Sequence, residues 1–116
     1  GLMAAAGARL LPGLPLVAAW PDLEARLAAA DLIITGEGRF DESSLSGKGP
    51  GAIAARALAQ GKPVHVFAGA VTPAAQHQAG RRAGLTLHAI TPAGLALDEA
   101  FRAAAANLAT AVERAL

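Results

Sequence analysis

The sequence predicts an α/β fold of three layers, a mostly parallel sheet flanked by helices, on three observations. Short aliphatic runs alternate with alanine-rich helical stretches in the order β, α, β, α, β, α. Each run stops at a turn signal: Leu32–Thr35 at Gly36, Val64–Ala68 at Gly69, Leu85–Ile90 at Thr91-Pro92. Strands buried on both faces of a parallel sheet have that form. Thirty-two alanines against 3% aromatic residues require a core of small side chains, which suits helices packed closely on a flat aliphatic sheet. With 53% hydrophobic and 16% charged residues in 116, residues 1–116 are expected to form a single domain. Three strands are few, so the sheet is expected to continue in upstream sequence or in another chain.

Taken in order, Leu2 to Leu11 has helix-forming character, and Pro12-Gly13 interrupts it. The chain opens on Gly1 rather than Met, so further sequence is expected before it. Pro21 and Asp22 suit a first helical turn, and Leu23, Leu27 and Ala30 fall on one face of the helix that follows. Asp31 leads into the first strand. From Gly36 to Gly51 alanine disappears and Gly, Ser, Asp, Glu, Arg and Lys replace it, the composition of a long loop. Pro50 then fits the first turn of a helix running through Ala52–Gln60 to Gly61. After the second strand a helix is predicted over Pro73–Arg82, before Gly84. The last helix reaches Leu116 and carries Leu97, Phe101, Leu108 and Val112 as a stripe expected to cover the sheet. Asp98 and Glu99 in its first turn and Arg114 in its last complement the helix dipole.

Several function classes are disfavoured. A net charge of +1, with no basic run interleaved with aromatics, argues against a nucleic-acid partner. Without cysteine there is no disulfide, thiolate nucleophile or Cys-based zinc site. No apolar run approaches the roughly 20 residues of a membrane span, so the expectation is a cytoplasmic protein with no membrane partner. His65, His77 and His88 show no metal-ligand spacing and are expected to be structural.

Chemistry is expected in the Gly36–Gly51 segment, because ligands of open α/β sheets bind beyond the carboxyl ends of the strands. Gly36 and Gly38 let the main chain approach a ligand, while Glu37, Arg39, Asp41 and Glu42 supply both signs of charge. Carboxylates at Glu37 and Asp41 can hold a divalent cation or accept a hydroxyl proton, and Arg39 can clamp phosphate or carboxylate oxygens with two parallel hydrogen bonds. Gly47 and Lys48 precede a helix whose free N–H groups can receive an anion. Neither of two familiar phosphate motifs fits: Glu42 and Gly49 break a P-loop, and Asp41 stands where a dinucleotide fingerprint needs Gly or Ala. The plainer alternatives are an Arg39–Asp41 ion pair that pins the loop, a solvated Lys48, and turn or capping roles for Ser43, Ser44 and Ser46.

The run Asp31-Leu32-Ile33-Ile34-Thr35-Gly36-Glu37-Gly38-Arg39, then Asp41, Gly47-Lys48, Pro50, Lys62-Pro63-Val64 and Ala68-Gly69, resembles the signature block of the type-I glycerate kinases. The likeness extends from Gly1 to Leu116 and matches the C-terminal portion of those longer chains. Ser43-Ser44 departs from the Gln-Thr or Gln-Ser pair common in the family, and Gly51-Ala52 stands where a Gly usually comes one residue later. The resemblance implies an incomplete part of a two-domain kinase that binds ATP with Mg²⁺ and phosphorylates D-glycerate in an interdomain cleft. Catalysis is then expected of Asp41, Arg39 and Lys48, substrate and phosphate binding of Gly36, Gly38, Arg39, Ser44, Gly47 and Lys48, and metal binding of Glu37 and Asp41. The missing N-terminal part of the same protein would be a partner, and the isolated chain is expected to be inactive. The sequence is also compatible with a homo-oligomer, and with a non-catalytic α/β module that binds a phosphorylated ligand or a protein through the same loop.

Overall fold

The computed structural model describes residues 22–46 and 49–116. Helix α1 (Leu23–Ala29) leads to strand β1 (Ile33–Phe40), a 3₁₀ turn (Ser44–Ser46) and helix α2 (Gly49–Ala59). Strand β2 (Val64–Val71), helix α3 (Pro73–Ala79), strand β3 (Leu85–Ala89) and helices α4 (Leu97–Arg102) and α5 (Ala104–Ala115) follow. The strands form one sheet in the order β1-β2-β3, with both pairs parallel. This is the α/β arrangement that the alternating sequence pattern predicts, a parallel sheet flanked by helices. The helix expected over Leu2–Leu11 lies outside the described residues.

Register places Ile33, Val64 and Leu85 side by side, and then Thr35, Val66 and Leu87. Because side chains alternate across a strand, one face of the sheet presents Val64, Val66, Ala68, Leu85 and Leu87, all buried in a single cluster. Leu27 of α1, Ala54 and Ala57 of α2, and Ala75 and Ala79 of α3 close over that face. Alanines at these positions bring the helix backbones close to the sheet, which explains the composition. Thr72 caps α3, its hydroxyl accepting from the Ala75 N–H at 3.2 Å, and Pro73 occupies the first turn.

The opposite face carries Ile34, His65, Phe67 and His88, and α5 runs against β2 without contributing to the first cluster. Phe67 is buried and stacks on the His88 ring, centroids 4.5 Å apart. His88 Nε2 and His65 Nδ1 lie 3.2 Å apart, so one ring donates and the other must be neutral to accept. His65 and His88 thus meet across neighbouring strands of the sheet. Their proximity follows from the parallel register, which sets His88 beside Phe67 and Thr86 beside His65.

Burial and the neighbouring His65 hold the His88 imidazole below its ordinary pKa. Between that lowered value and the ordinary value of about 6.5, the unfolded chain binds more protons than the folded one. The stability contributed by neutral His88 is therefore complete above pH ~6.5 and declines as the pH falls through that value. Denaturant unfolding measured between pH 8 and 5 is expected to show this decline, and His88→Phe, which keeps the ring stack, is expected to flatten it.

Two expectations are corrected. The strand expected to stop at Gly36 continues to Phe40, because β2 runs equally far and pairs with it: Glu37 with Ala68, Arg39 with Ala70, Phe40 with Val71. The segment expected to be a loop from Gly36 is thus strand over its first five residues. The terminal helix is also two helices, broken at Ala103, whose φ of −91° and ψ of 0° leave the helical region. The break destroys the common phase of the Leu97, Phe101, Leu108 and Val112 stripe. Leu97 and Phe101 are 72% and 73% exposed and Leu108 is 41% exposed, so these three do not join the core.

Candidate active site

The extra length of β1 positions the site. Burial alternates regularly as far as Gly38, after which Arg39 is exposed and Phe40 fully buried. Phe40 plugs the core and Arg39 turns to a cavity of about 880 Å³ beyond the carboxyl ends of the three strands. Glu37 and Gly38 of β1, Gly69 and Ala70 of β2, and Ile90 and Thr91 after β3 line this cavity together with Leu97 and Phe101 of α4. A Cβ on Gly69 would lie 2.5 Å from the Gly38 carbonyl oxygen, and one on Gly36 2.5 Å from that of Phe67. Glycine at 36 and 69 therefore lets β1 and β2 approach where they carry the site.

The charged groups have distinct environments. Glu37 Oε1 is buried with no hydrogen-bond partner among the described residues, a costly state for a carboxylate and one that a bound cation or proton donor would relieve. Arg39 forms no ion pair among the described residues. No Arg39–Asp41 ion pair forms, although the Arg39 charge still helps to hold the Asp41 carboxyl down, so among the described residues the guanidinium can meet an anion.

Asp41 lies one residue past the strand and organises the turn that follows. Its Oδ1 accepts from the Ser43 hydroxyl at 2.6 Å, the Ser43 N–H at 2.8 Å and the Ser44 N–H at 3.2 Å. In return the Asp41 N–H donates to Ser44 Oγ at 3.2 Å. These bonds, that from the Ser43 hydroxyl foremost, hold the Asp41 carboxyl below the usual carboxylate range. Ser43 and Ser44 thus have the turn role that their residue type suggests, and Ser44 is buried.

The structure brings Glu37, Gly38 and Arg39 to one cavity and sets Gly36 beneath it in the strand. Asp41 and Ser44 belong to the adjoining turn, and neither lines the cavity. Gly47 and Lys48 lie outside the described residues. The apolar wall formed by Ile90, Pro92, Leu95, Leu97 and Phe101 was not foreseen as part of the site. The rule that ligands sit beyond strand ends applies to β3 as much as to β1 and would have drawn attention to Ile90–Pro92.

The turn is locked to α2 through Gly51. A Cβ there would come within 1.5 Å of the Ser44 carbonyl oxygen, backbone against backbone with no flexible side chain to yield. Gly51→Ala is expected to destabilise the protein by about 1–3 kcal/mol or more, measured as a shift of the urea midpoint.

A family model described as the glycerate kinase family matches residues 1–116. The chain belongs to the glycerate kinase family. It is 40% identical over 112 residues to the glycerate 2-kinase of Escherichia coli K12, covering 95% of this chain and 29% of that one. To the glycerate kinase of Bacillus cereus it is 37% identical over 98 residues, 83% of this chain and 25% of the other. An uncharacterized protein of Mycobacterium tuberculosis is 46% identical over 89 residues, 75% of this chain and 23% of its own length. The chain therefore spans about a quarter of the length of these relatives.

Kinase chemistry in this family calls for a nucleotide, and the donor set can be tested for a divalent cation. No group of three His, Cys, Asp or Glu side chains converges among the described residues. Mg²⁺ needs only one or two protein carboxylates when phosphates and waters complete its octahedron. The unpartnered Glu37 Oε1 meets that requirement better than Asp41 Oδ1, which already accepts three hydrogen bonds. Among the described residues no helix is long and apolar enough to cross a membrane.

Proposed function

We propose that this chain supplies the phosphoryl-handling part of a cytoplasmic glycerate kinase that transfers the γ-phosphoryl group of ATP to a hydroxyl of D-glycerate. The observation that carries this reading is the meeting, in one cavity at the strand ends, of Arg39, which forms no ion pair among the described residues, with a buried Glu37 oxygen that has no hydrogen-bond partner among them. A cation-seeking carboxylate beside an anion-seeking guanidinium suits a metal-bound phosphate. In the transfer, the glycerate hydroxyl oxygen bonds to Pγ, the bond from Pγ to the β,γ-bridging oxygen breaks, and ADP departs. The hydroxyl proton passes to a base.

Such a reaction depends on positioning and charge neutralisation more than on covalent participation by the protein. Bound Mg²⁺ would neutralise charge on the β- and γ-phosphates, with Glu37 as its protein ligand. Arg39 is assigned to the phosphate or glycerate carboxylate oxygens, where its planar fork matches two acceptors. Gly36 and Gly38 keep the strand end free of side-chain bulk. Asp41, in the turn beside the cavity, is assigned as base or metal partner through Oδ2 for a substrate that extends from the cavity to that turn, since Oδ1 is committed to the turn. From their place in the sequence, Gly47 and Lys48 are assigned to anion binding as the chain enters α2, with Ser44 holding the turn before them.

The remaining part of the catalytic cleft would come from an N-terminal segment of a longer polypeptide. The full enzyme, given D-glycerate, ATP and Mg²⁺, is expected to form phosphoglycerate and ADP in equal amounts, with no turnover by residues 1–116 alone. Ligand binding without turnover by the full enzyme would instead support a non-catalytic module.

A further inference from the structure

The cavity at the strand ends has two unlike halves. Its charged half is Glu37 and Arg39, whereas Ile90, Pro92, Leu95, Leu97 and Phe101 form an apolar wall from the end of β3 to α4. Glycerate is a three-carbon acid bearing a polar oxygen on every carbon, so it has no surface to place against such a wall. The cavity, at about 880 Å³, is in the range occupied by much larger ligands. Phe101 is 73% exposed and Leu97 72% exposed, so both stand outside the core of this chain.

We infer that this wall receives the aromatic base of the nucleotide, with Phe101 as its stacking platform and Arg39 at the phosphate end. The inference rests on the kinase reading above for the identity of the ligand, and adds where the base binds and which residues recognise it. A base laid on a phenyl ring removes two apolar faces from water and gains offset stacking. Its phosphate chain would then extend toward β1, where the guanidinium and the unsatisfied carboxylate oxygen stand at the other half of the same cavity. The wall offers few polar side chains, Thr91 among them, so it favours a flat base by shape and contact more than by a hydrogen-bond code.

The test is a kinetic split in the full-length enzyme. Phe101→Ser, at an exposed position where folding should be retained, is expected to raise KM for ATP about 10-fold and leave KM for glycerate within twofold. Competitive inhibition by adenosine should weaken in parallel. An unchanged KM for ATP, or a loss confined to the melting temperature, would overturn the assignment and show that another part of the polypeptide covers Phe101. Phe101→Trp gives a separate reading that needs no turnover: its fluorescence is expected to be quenched saturably by adenosine, beyond any change in the wild-type tryptophan signal. Absence of that extra quenching counts against the assignment even if the enzyme is active. Failure of the wild type to form phosphoglycerate would sink the kinase reading alone, leaving the adenosine titration to decide the base site.

Discussion

Phe40→Ala is expected to cost about 3–5 kcal/mol of folding stability, the largest loss from any single truncation in this core. Phe40 is fully buried and is the only aromatic side chain in the main cluster among the described residues, which is otherwise built of Ala, Val and Leu. Helices already held close by alanine cannot collapse further into the space a phenyl ring leaves, so most of the cavity should persist. The residue also ends β1, its carbonyl accepting the Thr72 N–H at 3.0 Å. The same truncation should therefore loosen the strand end that presents Arg39. Urea unfolding should show a lower midpoint with an unchanged slope. Phe40→Leu, which restores much of the volume, should recover more than half of the loss; a cost below 1 kcal/mol for Phe40→Ala would show that the core repacks freely.

Arg39→Ala is expected to lower kcat/KM of the full enzyme by about 10²–10³-fold, the usual scale for removing one preorganised donor to developing charge. Arg39 is exposed and makes no ion pair among the described residues, so the same change should leave stability within about 0.5 kcal/mol. That separation of activity from stability distinguishes a ligand-binding arginine from one that braces the fold. Arg39→Lys should restore only part of the rate, because an ammonium keeps the charge but loses the planar fork. Wild-type turnover in Arg39→Ala would remove the main support for phosphate binding at the end of β1.

The placement of the candidate residues was legible to different degrees. Gly36, Glu37, Gly38 and Arg39 were found from their position after an aliphatic strand, and the structure sets them at or beside the cavity. Their backbone is not legible in the same way, because glycines and charges carry the composition of a loop, whereas β2 supplies ladder partners through Arg39 and Phe40. Asp41 stands out in the sequence for its charge. Its hydrogen bonds to Ser43 and Ser44 are local, within three residues, so the turn role of the two serines is legible in their residue type, whereas the part of Asp41 in it is not. The terminal stripe misled most. Residues 97, 101, 108 and 112 share a face only if one helix runs unbroken, and the departure at Ala103 depends on packing that a run of alanines does not disclose.

Local pattern alone determined the fold class, the number and order of the described strands, and the family, since alternating runs and a contiguous signature are properties of neighbouring residues. Tertiary structure alone decided how far β1 extends, that Arg39 faces a cavity while Phe40 enters the core, and that His65 meets His88. Each of these depends on register between segments 20 or more residues apart. Hydrogen-bonded partners can hold a glycine-rich segment in strand form that its own propensities would not select.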